Sequence, residues 1–134
     1  MRVDIVLFDD PIEDRERAMA KQVMKKRDGK AIFIALSGNI HSRKQPPPQR
    51  PDLVPAVAHL VAAKLPVKTF DASANGGTFW GCVSTDDHEP VCGVHENGKG
   101  ADGKPWTLGP APDAAHDGLY FVGTTNASHP ARSR

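Results

Sequence analysis

No sign of charge dominates this chain: 17 basic residues stand against 16 acidic ones, for a formal net charge of +1 over 134 residues. Gathering nucleic acid or an anionic membrane surface takes a field of one sign, so neither is an expected partner. Long apolar runs are also missing, and nothing approaches the ~20 residues that a spanning helix requires. Met1 to Phe8 is short and strand-like rather than a charged leader followed by an apolar stretch, so the chain shows no export signal. A periplasmic or exported parent is expected only if residues precede Met1. There is no internal repeat, no paired C-x-x-C, and no G-x-S-x-G turn to make Ser128 a nucleophile. What is present is a hydrophobic content of 39%, enough for a core, and a length that suits a single domain over residues 1–134. Twelve prolines and twelve glycines fall mostly beyond residue 45, which predicts a regular first half and a loop-rich second.

The first elements read as a βαβα unit. Val3 to Phe8 is a β-branched apolar run closed by Asp9-Asp10-Pro11. Asp10 can cap a helix, Pro11 suits its first position, and Glu13 can reach back to the cap. Ile12, Met19, Ala20, Val23 and Met24 give that helix an apolar stripe, and Asp28-Gly29 supplies a left-handed stop, predicting a helix over about 11–27. Ala31 to Leu36 is apolar on both alternating faces, the pattern of a central parallel strand covered by helices on each side. Pro46-Pro47-Pro48 makes an extended connector. A second helix follows, capped by Asp52, with Leu53, Val57, Leu60 and Val61 as its apolar face and its end near Lys64. Further short strands are expected at 67–70 and 78–83, with a last one near Leu119 to Val122. The fold class predicted is α/β: a mostly parallel sheet with strands near 3–8, 31–36, 67–70 and 78–83, and a loop-rich carboxyl-terminal part without regular structure between Asp86 and Asp117.

Parallel strands bring the loop at Asp9-Asp10 and the loop from Ser37 to His41 to one carboxyl edge of the sheet, where open α/β sheets bind ligands. His41, behind Gly38, is the strongest chemical candidate. Asp9, Asp10 and Arg15 would face it, to orient the imidazole, hold a metal or bind an anion. The plainer reading makes Gly38-Asn39 a simple turn, Asp10 a cap and Arg15 a solvated ion-pair partner.

Arg15-Glu16-Arg17-Ala18-Met19-Ala20 resembles the arginine-acid-x-x-Met-Ala helix of the erythromycin esterase, ChaN-like haem-uptake and Tiki superfamily, and Leu36-Ser37-Gly38-Asn39-Ile40-His41 resembles its later G-x-x-H strand end. The order and spacing agree. The resemblance implies an α/β sheet edge at which His41 acts as base or metal ligand and Arg15 stabilises an anion. It implies metal-dependent hydrolysis of an ester or peptide, with a small molecule or peptide as substrate and a divalent metal or haem as candidate cofactor. The alternative it allows is a haem- or metal-binding module without catalysis. Asp9 is a weaker candidate metal ligand. The superfamily's first G-x-x-H motif and its glutamate have no counterpart upstream of residue 15, so the chain is expected to be the carboxyl-terminal portion of a larger domain. Such a half-domain would carry an incomplete site and need a partner, with a homo-oligomer as one solution.

Cys82, His88, Cys92 and His95 fall within fourteen residues. Zinc is one reading, although the spacing is not a usual zinc pattern; a Cys82–Cys92 disulfide closing a short loop is another, and two reduced thiols a third. Trp80, after Gly76-Gly77, can stack on a flat ligand or close the edge of a core. His59 is expected to be solvated, and His116 and His129 sit in loops with no partner apparent from sequence.

Overall fold

Asp14 accepts a hydrogen bond from the Arg17 amide (3.1 Å) and thereby caps the first helix, α1, Arg15–Lys26. Glu16 lies in its first turn and Lys25 and Lys26 in its last, so both ends suit the helix dipole. Arg27 closes it by donating to the Val23 carbonyl, and Gly29 follows at φ 73°. The second helix, α2, Ala56–Ala62, starts behind Pro55 and has no side-chain cap of its own. Asp52, expected as that cap, instead accepts from Arg50 Nε at 3.4 Å.

The structure, a computed structural model, describes residues 14–27, 29, 32–84 and 89–128. The expected strand at 3–8 and the helix start at Asp10-Pro11 lie outside these residues. The chain divides into two compact units, Met1–Asp71 with Ala111–Gly118, and Ala72–Pro110 with Leu119–Arg134. In the first, α1 packs against α2, and Met19, Ala20, Pro55, Ala56, Leu60 and Ala115 form the buried apolar set. Glu16, Thr69 and His116 are buried among the polar groups there.

The second unit carries most of one four-stranded sheet: β1, Phe70–Val83; β2, Val91–Glu96; β3, Thr107–Gly109; and β4, Gly118–Thr125, in the order β2-β1-β4-β3. β1 and β2 are antiparallel with Trp80 opposite Val94 and Cys82 opposite Cys92, and β3 and β4 are antiparallel with Leu108 opposite Tyr120. β1 and β4 run parallel: Thr125 Oγ1 donates to the Gly76 carbonyl (3.2 Å) and, further along both strands, the Ala127 amide donates to Thr78 Oγ1 (2.9 Å). Gly77, at φ 105°, permits this approach, because a β-carbon there would collide with the backbone of Thr125. Phe121 is buried against Gly103 and Gly109, where a β-carbon would run into its ring. Among the described residues no helix is long and apolar enough to cross a membrane.

The predicted parallel α/β sheet of βαβα type is therefore incorrect; the sheet is mixed, with one parallel pair, and among the described residues the helices are two and short. The segment expected as a central strand at 31–36 has no regular structure over 32–38, and Ile32, Ile34 and Leu36 are 91%, 80% and 89% exposed. An apolar pattern on both faces describes which layers would suit a strand, not whether a neighbouring strand is present to pair with it. The segments at 67–70 and 78–83 were expected as separate strands. Instead, Phe70–Val83 is continuous, with Gly76 and Gly77 at positive φ inside it. The part expected to be loop-rich contains β2 and β3, which long-range pairing creates from weakly patterned sequence.

Candidate functional site

The turn 38–42 presents His41. The His41 amide donates to the Gly38 carbonyl (3.1 Å), and its imidazole Nδ1 lies 2.6 Å from Glu16 Oε1. A carboxylate only accepts hydrogen bonds, so an ionised Glu16 holds the proton on Nδ1 and directs Nε2 away from itself. The other oxygen, Oε2, accepts from the Ala56 amide at 2.7 Å. That amide is one of the donors a helix leaves unsatisfied at its start, and the next, of Val57, donates to the His41 carbonyl at 3.1 Å. Glu16 thus stands in the first turn of α1, caps α2, and orients the histidine. Its side chain is 9% exposed and that of His41 21%, so the carboxylate is shielded while the imidazole still reaches solvent.

The turn is tied to the segment 113–117. Ser42 Oγ lies 3.2 Å from His116 Nε2, the Lys44 amide donates to the Ala115 carbonyl (2.8 Å), and Arg43 pairs with Asp113 at 3.6 Å. Asp117 accepts from Lys44 Nζ (2.6 Å), Lys68 Nζ (3.2 Å) and the Thr69 amide (2.8 Å). Burial alone would raise the Asp117 carboxyl, but these hydrogen bonds, with the charge of Lys44, outweigh it and lower its pKa from 3.8 to about 2.

Of the residues singled out from sequence, His41 is held in a defined polar environment. Arg15 is exposed at the start of α1, and the two carboxylate oxygens of its neighbour Glu16 are taken by His41 and Ala56. Asp9 and Asp10 lie outside the described residues. Glu16 itself was missed as a site residue, although the acidic position next to Arg15 was visible in the motif. His116, for which sequence offered no partner, is buried and meets Ser42.

Cys82 and Cys92 form a disulfide across β1 and β2, so their sulfurs are not free to bind zinc. The His95 imidazole lies 5.6 Å from the Phe79 ring, with its Nε2 at 3.2 Å from the Gly81 carbonyl. Trp80 is partly exposed within β1. Among the described residues no group of three or more His, Cys, Asp or Glu side chains could hold a metal ion. A depression of about 290 Å³ borders Asp14, Glu16, Arg17, Asp52, Leu53, Val54 and His59. His41 is not part of its wall, although its partner Glu16 is. No protein-family model, curated protein or solved structure matches the chain.

Proposed function

We propose that the chain is a hydrolase-related domain in which His41, oriented by Glu16, serves as a general base toward an ester or peptide carbonyl. The observation that carries this reading is the 2.6 Å contact between His41 Nδ1 and Glu16 Oε1, with the second carboxylate oxygen fixed by the Ala56 amide. With its proton held on Nδ1, the neutral ring has its basic lone pair on Nε2. There it takes a proton from water as the water oxygen attacks the carbonyl carbon, and it returns that proton to the departing alkoxide or amine. The likeness of residues 15–20 and 36–41 to the erythromycin esterase, ChaN-like and Tiki superfamily supports the same reading and assigns Arg15 to the developing oxyanion.

The test is hydrolysis of an activated aryl ester by the full chain. His41→Ala and Glu16→Gln should each lower the rate by about 10²–10⁴-fold, the range for a placed general base. Glu16→Gln is the sharper variant: the amide oxygen can still accept from Ala56, while its NH₂ faces Nδ1 and moves the ring proton to Nε2. Unchanged turnover in both variants would remove the proposal.

A second reading, a half-domain completed by association with another copy, rests on a separate observation: the exposure of Ile32, Ile34 and Leu36 on a segment without regular structure. Covering each such side chain contributes on the order of 1.5–3 kcal/mol. Sedimentation should then show assembly that grows with protein concentration and is abolished by Ile34→Asp. A monomer at all concentrations would exclude it.

A further inference from the structure

The residue after His41 takes part in a second polar contact. Ser42 Oγ lies 2.9 Å from the Asn39 carbonyl and 3.2 Å from His116 Nε2. The carbonyl can only accept, so the single hydroxyl proton goes to Asn39, and the hydroxyl oxygen is left to accept from Nε2–H of His116. A chain of two hydrogen bonds, from His116 to Ser42 to Asn39, then spans the turn that carries His41. The remaining links between this turn and the segment 113–117 include the backbone bond from Lys44 to Ala115 and the ion pairs of Arg43 and Lys44. Of the two ion pairs, that of Arg43 with the half-exposed Asp113 is long, at 3.6 Å, and contributes little to holding a geometry. His116, only 7% exposed, is the buried side chain among these links, and a buried hydrogen bond is one that water does not readily replace.

We propose that His116 is a positioning residue for His41, acting through the Ser42 hydroxyl to fix the turn against which the Glu16–His41 pair closes. This deepens the proposed function and rests on its reading of His41 as the reactive imidazole. His116 does not touch the reacting atoms. Its part is to keep the backbone of 39–42 from rotating, so that Nδ1 stays on the carboxylate and Nε2 keeps one direction. A looser turn would let the ring sample rotamers in which the Glu16 contact is lost, and a displacement of about 1 Å at a catalytic group is enough to reduce its rate substantially.

The experiment is nitrogen-15 imidazole NMR of the full chain, which reports the proton position on His41 and the solvent exchange of its Nδ1–H. The wild type should show the proton on Nδ1, protected from exchange. Ser42→Ala removes only the hydroxyl and should raise that exchange about five- to tenfold, as the loss of one neutral hydrogen bond permits, while amides within α1 keep their protection. His116→Ala should do the same, and His116→Gln, which retains a side-chain N–H donor, should recover much of the protection. If His116→Ala does not fold, Ser42→Ala and His116→Gln still decide the matter. Unchanged His41 exchange in folded Ser42→Ala would overturn the positioning role and leave the Glu16–His41 reading standing. A wild-type His41 with its proton on Nε2 would overturn that reading, and the positioning role with it.

Discussion

Around His41 the chain is fixed by side chains that reach across long stretches of sequence: Glu16 to His41 and Ala56, His116 to Ser42, Asp117 to Lys44 and Thr69. In the second unit most of the order comes from paired strands, a disulfide joining β1 to β2, and the Phe121 ring laid over two glycines, with side-chain hydrogen bonds such as Asn75 to the Gly103 carbonyl added to that frame. A sheet tolerates many side-chain changes, because its ladder is made of groups every residue carries. A region organised by a few buried polar side chains has no such reserve, and the loss of one partner leaves the others buried and unsatisfied. The candidate chemistry thus sits in the region where single residues matter most.

The largest expected effect follows from that difference. Glu16→Leu is close in size but leaves both the Ala56 amide and His41 Nδ1 without their acceptor, and should lower stability by about 2–4 kcal/mol. Hydrogen exchange should show the loss at the amides of Ala56 and Val57, with β1 and β2 keeping their protection. A loss below about 1 kcal/mol would mean that water replaces the carboxylate and that the capping role is minor. Next in size is removal of the disulfide. The cysteines are 10 residues apart, and freeing that loop in the unfolded chain should cost about 2–3 kcal/mol on the chain-entropy model. Denaturant unfolding of the double variant Cys82→Ser, Cys92→Ser should show it, with exchange rising in β1 and β2 and the His41 imidazole signals unmoved. If those signals shift, the contrast between the two regions does not hold.

The same contrast explains what the sequence disclosed. The stripe of Met19 and Ala20 and the stop at Gly29 are local signals, and α1 is found close to where they place it. Likewise, a histidine behind a glycine turn could be picked out as the strongest chemical residue. The turn does not itself require a glycine, however: Gly38 is not at positive φ, and a methyl group there would meet His41 Cδ2 at an ordinary 3.6 Å. Its neighbour Glu16 carries no such signal, since a carboxylate at a helix start needs no role beyond the helix dipole, and only the packing of α2 and the turn at His41 reveals its other tasks. The sheet was the least legible part. Gly76 and Gly77 look like a break between strands, yet close approach of β4 makes them the interior of one long strand. Conversely, the best strand pattern in the chain, around Ile32 to Leu36, belongs to no strand, because periodicity reports apolar faces and is silent on hydrogen-bonding neighbours.

The smallest effect tests the outer part of the polar network. Asp117, with its pKa lowered to about 2 against 3.8, binds its proton less readily in the folded chain than in the unfolded one. Its contribution to stability is therefore complete above about pH 4 and declines as the pH falls through the folded value near 2. Lys44→Met removes the closest of its cations and should bring the carboxyl back toward 3.8, so that the acid limb of the stability curve begins at higher pH. Asp117→Asn should flatten that limb instead, since no charge remains to be lost. Both changes should leave acid unfolding of the second unit where it was, because its disulfide and strand pairs do not titrate there. A variant curve that overlays the wild type between pH 2 and 4 would show that water and salt already screen Asp117 from Lys44, leaving the buried contacts of Glu16 and His116 to hold the turn.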